Sequence, residues 1–307
     1  MALNIRMTVR YAGFITTVAA LAMAIGQQQA QAGQLSSGWT YSYDAIGDGS
    51  GENLTDTKYD IRGTAMSVQN DKLIIALTGG MPITGNSYGG AADGNVGWGD
   101  LFFNFTGKKF NDAEGQLFGV RFAATNDSPV STGVYSNVKT TSLTSVNSGY
   151  SSLNHYYTAE NGRYNKQNTQ GSALVTAADA ESYYGASGPI QTSINSGTKV
   201  GEIGQFFNAN ELGALGLNFG SATGSQTFGF SFDRALLPSG SFLANLFLEC
   251  GNDGVAIAAT APAPTSPDTS KKVPEPSTLG AILLTSLLSL RYGKKRKQSA
   301  LGLIPVK

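Results

Sequence analysis

Phe228-Gly229-Phe230-Ser231-Phe232-Asp233 decides the fold class. Rings at every second position do not form a stripe on a helix of 3.6 residues per turn. In a strand they share one face, with Gly229, Ser231 and Asp233 on the other. The stretch predicts a strand with one face in a core and the other wet. Trp39-Thr40-Tyr41-Ser42-Tyr43 repeats the pattern with three rings on one face. Lys72 to Thr78, Leu101 to Thr106 and Leu117 to Ala123 are apolar or alternating runs of strand length, with Gly or Asn-Asp punctuation nearby. Phe242 to Cys250 places Phe242, Ala244, Leu246, Leu248 and Cys250 on one face, which makes Cys250 a buried, inert residue.

Between these strands the chain is rich in Gly, Ser, Thr and Asn, with 39 glycines in 307 residues. That balance favours many short strands joined by turns. Helices are minor: Ser172 is placed to cap one running from Leu174 to Tyr184 with Gly185 as its stop, and a shorter piece lies around Asn208 to Leu212. Ser136 to Gln170 is polar and largely without apolar periodicity, and reads either as long loops or as exposed edge strands. No fixed-period repeat points to a solenoid or propeller. The fold class expected is all-β: a single β-sandwich or jelly-roll-like domain with minor helices, over residues 33–258.

The two ends differ from this body. Arg6 and Arg10 precede a nearly apolar run from Tyr11 to Ile25, and Ala30-Gln31-Ala32 then supplies the small residues that a signal peptidase reads. The run is about 15 residues, short of the roughly 20 that a spanning helix needs, so residues 1–32 read as a cleaved signal peptide with the mature chain starting near Gly33. From residue 259 to 272 the composition turns to Ala, Pro, Thr, Ser and Lys, which keeps a linker extended and without a core. Pro274-Glu275-Pro276 follows, then the apolar run Leu279 to Leu290, then the basic cluster Arg291, Lys294, Lys295, Arg296 and Lys297. A helix over that run covers about 18 Å against a hydrocarbon core of about 30 Å. The basic cluster resists crossing and holds the tail in the cytoplasm. Such a segment suits a pause in translocation better than a permanent anchor.

Motif, short apolar run and basic cluster over residues 273–297 resemble the PEP-CTERM sorting signal. The resemblance implies an exported bacterial protein that meets signal peptidase and then exosortase, inserts transiently in the membrane, loses its tail and ends at the cell surface or in the extracellular polysaccharide matrix. Residues 298–307 extend past the basic cluster, where such chains usually stop. Three body segments resemble the exosortase-dependent surface proteins of cyanobacteria called the XDD type. They are Gly97-Trp98-Gly99-Asp100-Leu101-Phe102-Phe103, Phe118 to Ala123 with Thr125-Asn126-Asp127-Ser128, and Phe247 to Gly254. That resemblance implies location and processing, with no catalytic residue to carry over.

Between Gly33 and Thr260 there are 11 Lys and Arg against 19 Asp and Glu, a net of −8. An acidic body argues against nucleic acid as a partner, since phosphate binding needs clustered positive charge. One cysteine excludes an intramolecular disulfide, and one histidine, His155, excludes a multi-histidine metal site. Gly85-Asn86-Ser87-Tyr88-Gly89 fits the G-x-S-x-G nucleophile-elbow string, but the turn-like Gly90 to Asn95 that follows does not open the required helix. Asp48, Ser50 and Glu52 offer oxygens at alternate positions, loosely as in a calcium loop; a hard-cation site needs six or more oxygens, so a solvated turn is the favoured reading. Asn252-Asp253-Gly254 reads as a turn on the same grounds. The expectation is a structural or adhesive surface protein without catalytic residues or an obligatory cofactor, with extracellular polysaccharide as its candidate ligand and a secreted hydrolase of extracellular polymers as the rival.

Overall fold

The structure is a computed structural model that describes residues 33–49, 58–159 and 167–264. The signal segment 1–32, the sorting tail 273–297 with its extension 298–307, and Ser50 and Glu52 lie outside the described residues. In chain order the strands of the first half are β1 (Gln34–Ser36), β2 (Trp39–Tyr43), β3 (Ile61–Gln69), β4 (Lys72–Gly79), β5 (Asn86–Ser87), β6 (Asn95–Val96), β7 (Leu101–Asn104), β8 (Leu117–Arg121) and β9 (Gly133–Thr141). Those of the second half are β10 (Gln167–Gln170), β11 (Leu174–Thr176), β12 (Ser193–Gly201), β13 (Gln205–Asn208), β14 (Gln226–Asp233), β15 (Gly240–Phe247) and β16 (Gly254–Ala261). Three short helices accompany them: α1 (Leu153–Thr158), α2 (Ala177–Tyr184) and α3 (Ala209–Ala214).

Two six-stranded antiparallel sheets organise the body, one ordered β1-β2-β3-β4-β14-β13 and the other β12-β9-β8-β7-β15-β16. The hairpins follow from local chemistry. Asn70 and Asp71, both at positive φ, make the two-residue turn between β3 and β4 and fix the register Gln69↔Lys72. The central strands β4 and β7 are buried on both faces, which explains their continuous apolar runs.

One apolar core lies between the sheets. Ile75, Leu77, Phe230 and Phe232 from the first sheet meet Phe103, Val120, Leu246 and Ile257 from the second. The Phe122 ring stacks on Phe230 at 4.7 Å between centroids. Phe242, Ala244, Leu246, Leu248 and Cys250 all join this core, as their alternation predicts. Behind the second sheet, α1 and α2 cover Phe102, Leu117, Val138 and Phe247 with Leu153, Tyr156, Tyr157 and Tyr184. Behind the first, Trp39, Tyr41, Ile74 and Ala76 pack with Leu212 of α3 and Phe219.

Four expectations need correction. The face of β14 opposite its rings is not wet: Gly229 and Ser231 are buried, Gly229 beneath Leu212 of α3, and only Asp233 is exposed. Ser136 to Gln170 is loop or edge only in part: Ser142 to Ser152 is a run of turns and β10 belongs to a two-stranded sheet, but the tract also holds the end of β9, an interior strand, and α1, whose tyrosines are core residues. Ser172 caps no helix. Thr176 does, through a capping box with Asp179, because Leu174 and Val175 are taken by β11, while Gly185 at φ +92 does stop the helix. The body also runs past residue 258: Ala259, Thr260 and Ala261 pair with Phe242, Ser241 and Gly240, so the strand takes the first three residues of the expected linker. Among the described residues no helix is long and apolar enough to cross a membrane.

Candidate functional site

At one end of the two sheets the chain gathers four aspartates in its interior. Asp44 follows β2 directly, Asp48 lies in the turn beyond it, Asp60 precedes β3, and Asp253 sits in the turn between β15 and β16. All four are at most 4% exposed. Each of Asp44, Asp48 and Asp253 brings a carboxylate oxygen within 4.8 Å of the others. Asp253 ties the sheets together, because its Oδ2 accepts from Ile61 N of β3 at 2.6 Å while its Oδ1 accepts from Gly254 N at 2.7 Å. Asp44 Oδ1 accepts from Gly171 N at 2.7 Å. Asp60 is fully engaged, by Gly47 N at 2.6 Å and Arg62 Nε at 2.8 Å.

The other oxygens are not engaged. Asp44 Oδ2 and both oxygens of Asp48 are buried without a hydrogen-bond partner. Tyr156 comes close, but its hydroxyl donates to the Asp48 backbone carbonyl at 2.7 Å. Burial pushes the Asp48 carboxyl up to about 8, with the negative charge of Asp60 adding to the shift. Asp44 and Asp253 are also raised, first by burial and then by their acidic neighbours, and the backbone bonds from Gly171 and Ile61, with the contact between the two carboxyls themselves, offset this only in part.

A second group of buried acids is arranged differently. Glu249 Oε2 accepts from Gly97 N at 2.7 Å and its Oε1 from Asp127 N. Asp100 Oδ1 accepts from Asn126 Nδ2 at 2.8 Å and its Oδ2 from Ile194 N at 2.7 Å. Asn126 also donates to the Trp98 carbonyl and is held by Arg121. Burial still raises both acids, Glu249 to about 8 and Asp100 to about 6. Here every carboxylate oxygen has a donor. The three body segments singled out in the sequence, around Gly97 to Asp100, Asn126 to Ser128 and Leu248 to Cys250, therefore meet in one latch that fixes loops to strands.

The remaining candidates fall apart in space or chemistry. Ser87 is exposed in the two-residue strand β5, paired with β6, and turns rather than a helix follow it. His155 is exposed on α1, with Nδ1 3.2 Å from Ser151 Oγ. Cys250 is buried, its thiol pushed up to about 12 by that burial. Of the three alternate-position oxygens, Asp48 enters the aspartate cluster, and Ser50 and Glu52 are outside the described residues. Sequence reasoning missed Asp44 and Asp253. Asp253 does lie in a turn, as Asn252-Asp253-Gly254 implies, but its side chain points inward. A small pocket beside Phe110, Leu153, Tyr184 and Phe247 has room for about one water molecule. No family model, curated protein or solved structure matches the chain.

Proposed function

We propose that the chain is an exported, exosortase-processed surface or extracellular-matrix protein, whose body is a single β-sandwich with a structural or adhesive role. One observation carries the reading. Among the described residues every strand of the two large sheets lies between Gln34 and Ala261, and Gly33 N donates to Ala258 O at 3.0 Å, so the start of the body is tied to its last strand. Signal peptidase cutting after Ala32, and an enzyme acting at Pro274-Glu275-Pro276, would release this unit intact. Leu279 to Leu290 with the basic cluster serves as the transient membrane stop.

A non-catalytic role is supported by the state of the acids, of Ser87 and of His155. The paired carboxylates are buried, where no sugar ring reaches them, Ser87 lacks the strand-turn-helix setting of a hydrolase, and His155 is engaged locally. Exposed rings at Tyr88 and Phe206 offer stacking surfaces for polysaccharide. The decisive experiment is mass spectrometry of the native surface fraction, with and without Glu275→Ala. The expected mature protein begins at Gly33 and contains nothing from Leu279 onward, and Glu275→Ala leaves a longer, membrane-retained form. A surface protein that keeps the Lys294 to Lys297 peptide, with Glu275→Ala changing neither size nor location, refutes the reading.

A further inference from the structure

We propose that Asp44, Asp48 and Asp253 bind one hard divalent cation, calcium by its chemistry, and that the ion fastens the segment after β2 in one sheet to the β15–β16 turn of the other. Two oxygens on opposite sides of a calcium ion lie about 5 Å apart, twice the usual Ca–O distance of about 2.3–2.6 Å. The carboxylate oxygens here fall within 4.8 Å of one another, so a single ion reaches all three side chains.

Proximity of acids is not enough to define a site; the unpartnered atoms are. Asp48 is 2% exposed, and neither of its oxygens has a hydrogen-bond partner. Asp44 Oδ2 is in the same condition. Elsewhere this fold gives buried acids their donors, as Glu249 and Asp100 demonstrate with two each. Of the two cations nearest the cluster in sequence, Lys58 lies over the Tyr59 ring and Arg62 is committed to Asp60, and among the described residues none of the three aspartates has an ion pair. Gln170 adds an independent observation. It is 1% exposed, both ends of its amide lack partners, and its Oε1 lies 2.6 Å from where a Cβ on Gly254 would sit, next in the chain to Asp253. A buried amide with no partner is costly unless something meets its oxygen.

The donor set selects the ion. It is all oxygen, which disfavours the softer transition metals that seek nitrogen or sulfur. Magnesium keeps most of its waters in strict octahedral order, whereas calcium accepts bidentate carboxylates in irregular shells. Both free oxygens of Asp48 fit the second description. Three buried carboxylates facing one another repel, and a doubly charged ion between them offsets two of their three negative charges. Ligands drawn from both sheets make binding part of folding. The site stands whether or not the export reading holds.

The test uses the intact chain, stripped with a calcium chelator and dialysed at pH 7.5. Bound metal is counted by atomic absorption after calcium is returned, and thermal midpoints are read with 1 mM calcium, with 1 mM magnesium and with chelator. The expected result is one calcium per chain and a midpoint about 5 °C or more higher in calcium than in chelator, with a smaller response to magnesium. Asp48→Asn keeps the side-chain shape and removes the unpartnered charge. It should bind calcium at least tenfold more weakly and lose the shift, while its calcium-free midpoint equals or exceeds that of the parent. Asp93→Asn, on an exposed turn, should leave both readouts unchanged. A parent chain that melts alike in calcium and chelator overturns the site and assigns the cluster to shared protons, and so does an Asp48→Asn chain that keeps the full calcium response. If Asp48→Asn does not fold, the metal count on the parent decides alone: fewer than about 0.2 calcium per chain refutes the proposal.

Discussion

Phe230→Ala is the sharpest test of the alternating-ring reading. Phe230 is fully buried in β14, with Ile75 opposite it on β4 and Phe206 opposite it on β13. Its ring is held from the other sheet by Phe122, stacked at 4.7 Å and 12°. Truncation of a buried phenylalanine costs about 3–5 kcal/mol through lost transfer energy and the cavity left behind. Losing the stack adds about 0.5–1.5 kcal/mol, and two sheets closing over the gap cannot both relax. The expected loss is therefore about 3.5–6.5 kcal/mol, and about 4.5 kcal/mol is taken for the assay. With a urea dependence near 3 kcal/mol per molar, the denaturation midpoint falls by about 1.5 M. Phe206→Ala is the control, because that ring is 49% exposed on the edge strand β13 and its loss should cost under about 1 kcal/mol. Equal midpoint shifts for the two variants would show that the rings of β14 do not share a common buried face.

The buried acids predict an inverted pH dependence in chelator. Asp48 is raised from 3.8 to about 8 and Glu249 from 4.5 to about 8, so between about pH 4 and 8 the folded state holds protons that the unfolded state has released; stability should fall as pH rises through that window. Urea midpoints in chelator that rise from pH 5 to pH 8 would contradict this. Glu249→Ala strands the Gly97 and Asp127 N–H groups and should cost about 2–4 kcal/mol in urea unfolding, with Glu249→Gln costing less than half of that because an acceptor remains. Cys250 should resist a thiol reagent in the native state and react fully in denaturant, since it is 2% exposed and its thiol is pushed up to about 12. Rapid labelling of the folded chain would place that residue at the surface instead.

Strands were legible where side chains alternate: β2, β14 and β15 announce themselves because large apolar residues are spaced by small or polar ones, although Ser42, Ser231 and Asn245 between them are buried as well. The tract from Ser136 to Gln170 concealed its role because its buried surface is carried by tyrosine. Tyr156 and Tyr157 sink their rings against the second sheet while their hydroxyls make the sequence look polar. The cap at Thr176 was available in the string Thr176-Ala177-Ala178-Asp179, and lost to the earlier Ser172, whose hydroxyl accepts from Tyr43 N instead. The aspartate cluster was half legible. Asp48 stood out by its spacing, but Asp44 and Asp253 come from opposite ends of the body, and an Asn-Asp-Gly string is the same whether its aspartate faces water or the interior. Only the pairing of strands brings them together.

The order of strands in the first sheet sets a timetable for the chain. β4 finds its second neighbour in β14, and Gly33 finds its acceptor in β16, so the earliest strands wait for the latest. A chain threaded through a membrane with its N-terminus leading exposes the apolar edge of β4 until residue 226 has emerged. An unpaired edge of that kind recruits other strands, including those of neighbouring copies. Closure over so many residues is also slow. Any delivery of the chain from its N-terminus therefore leaves this sheet open until β14 has followed, and Gly33 without its acceptor until β16 has.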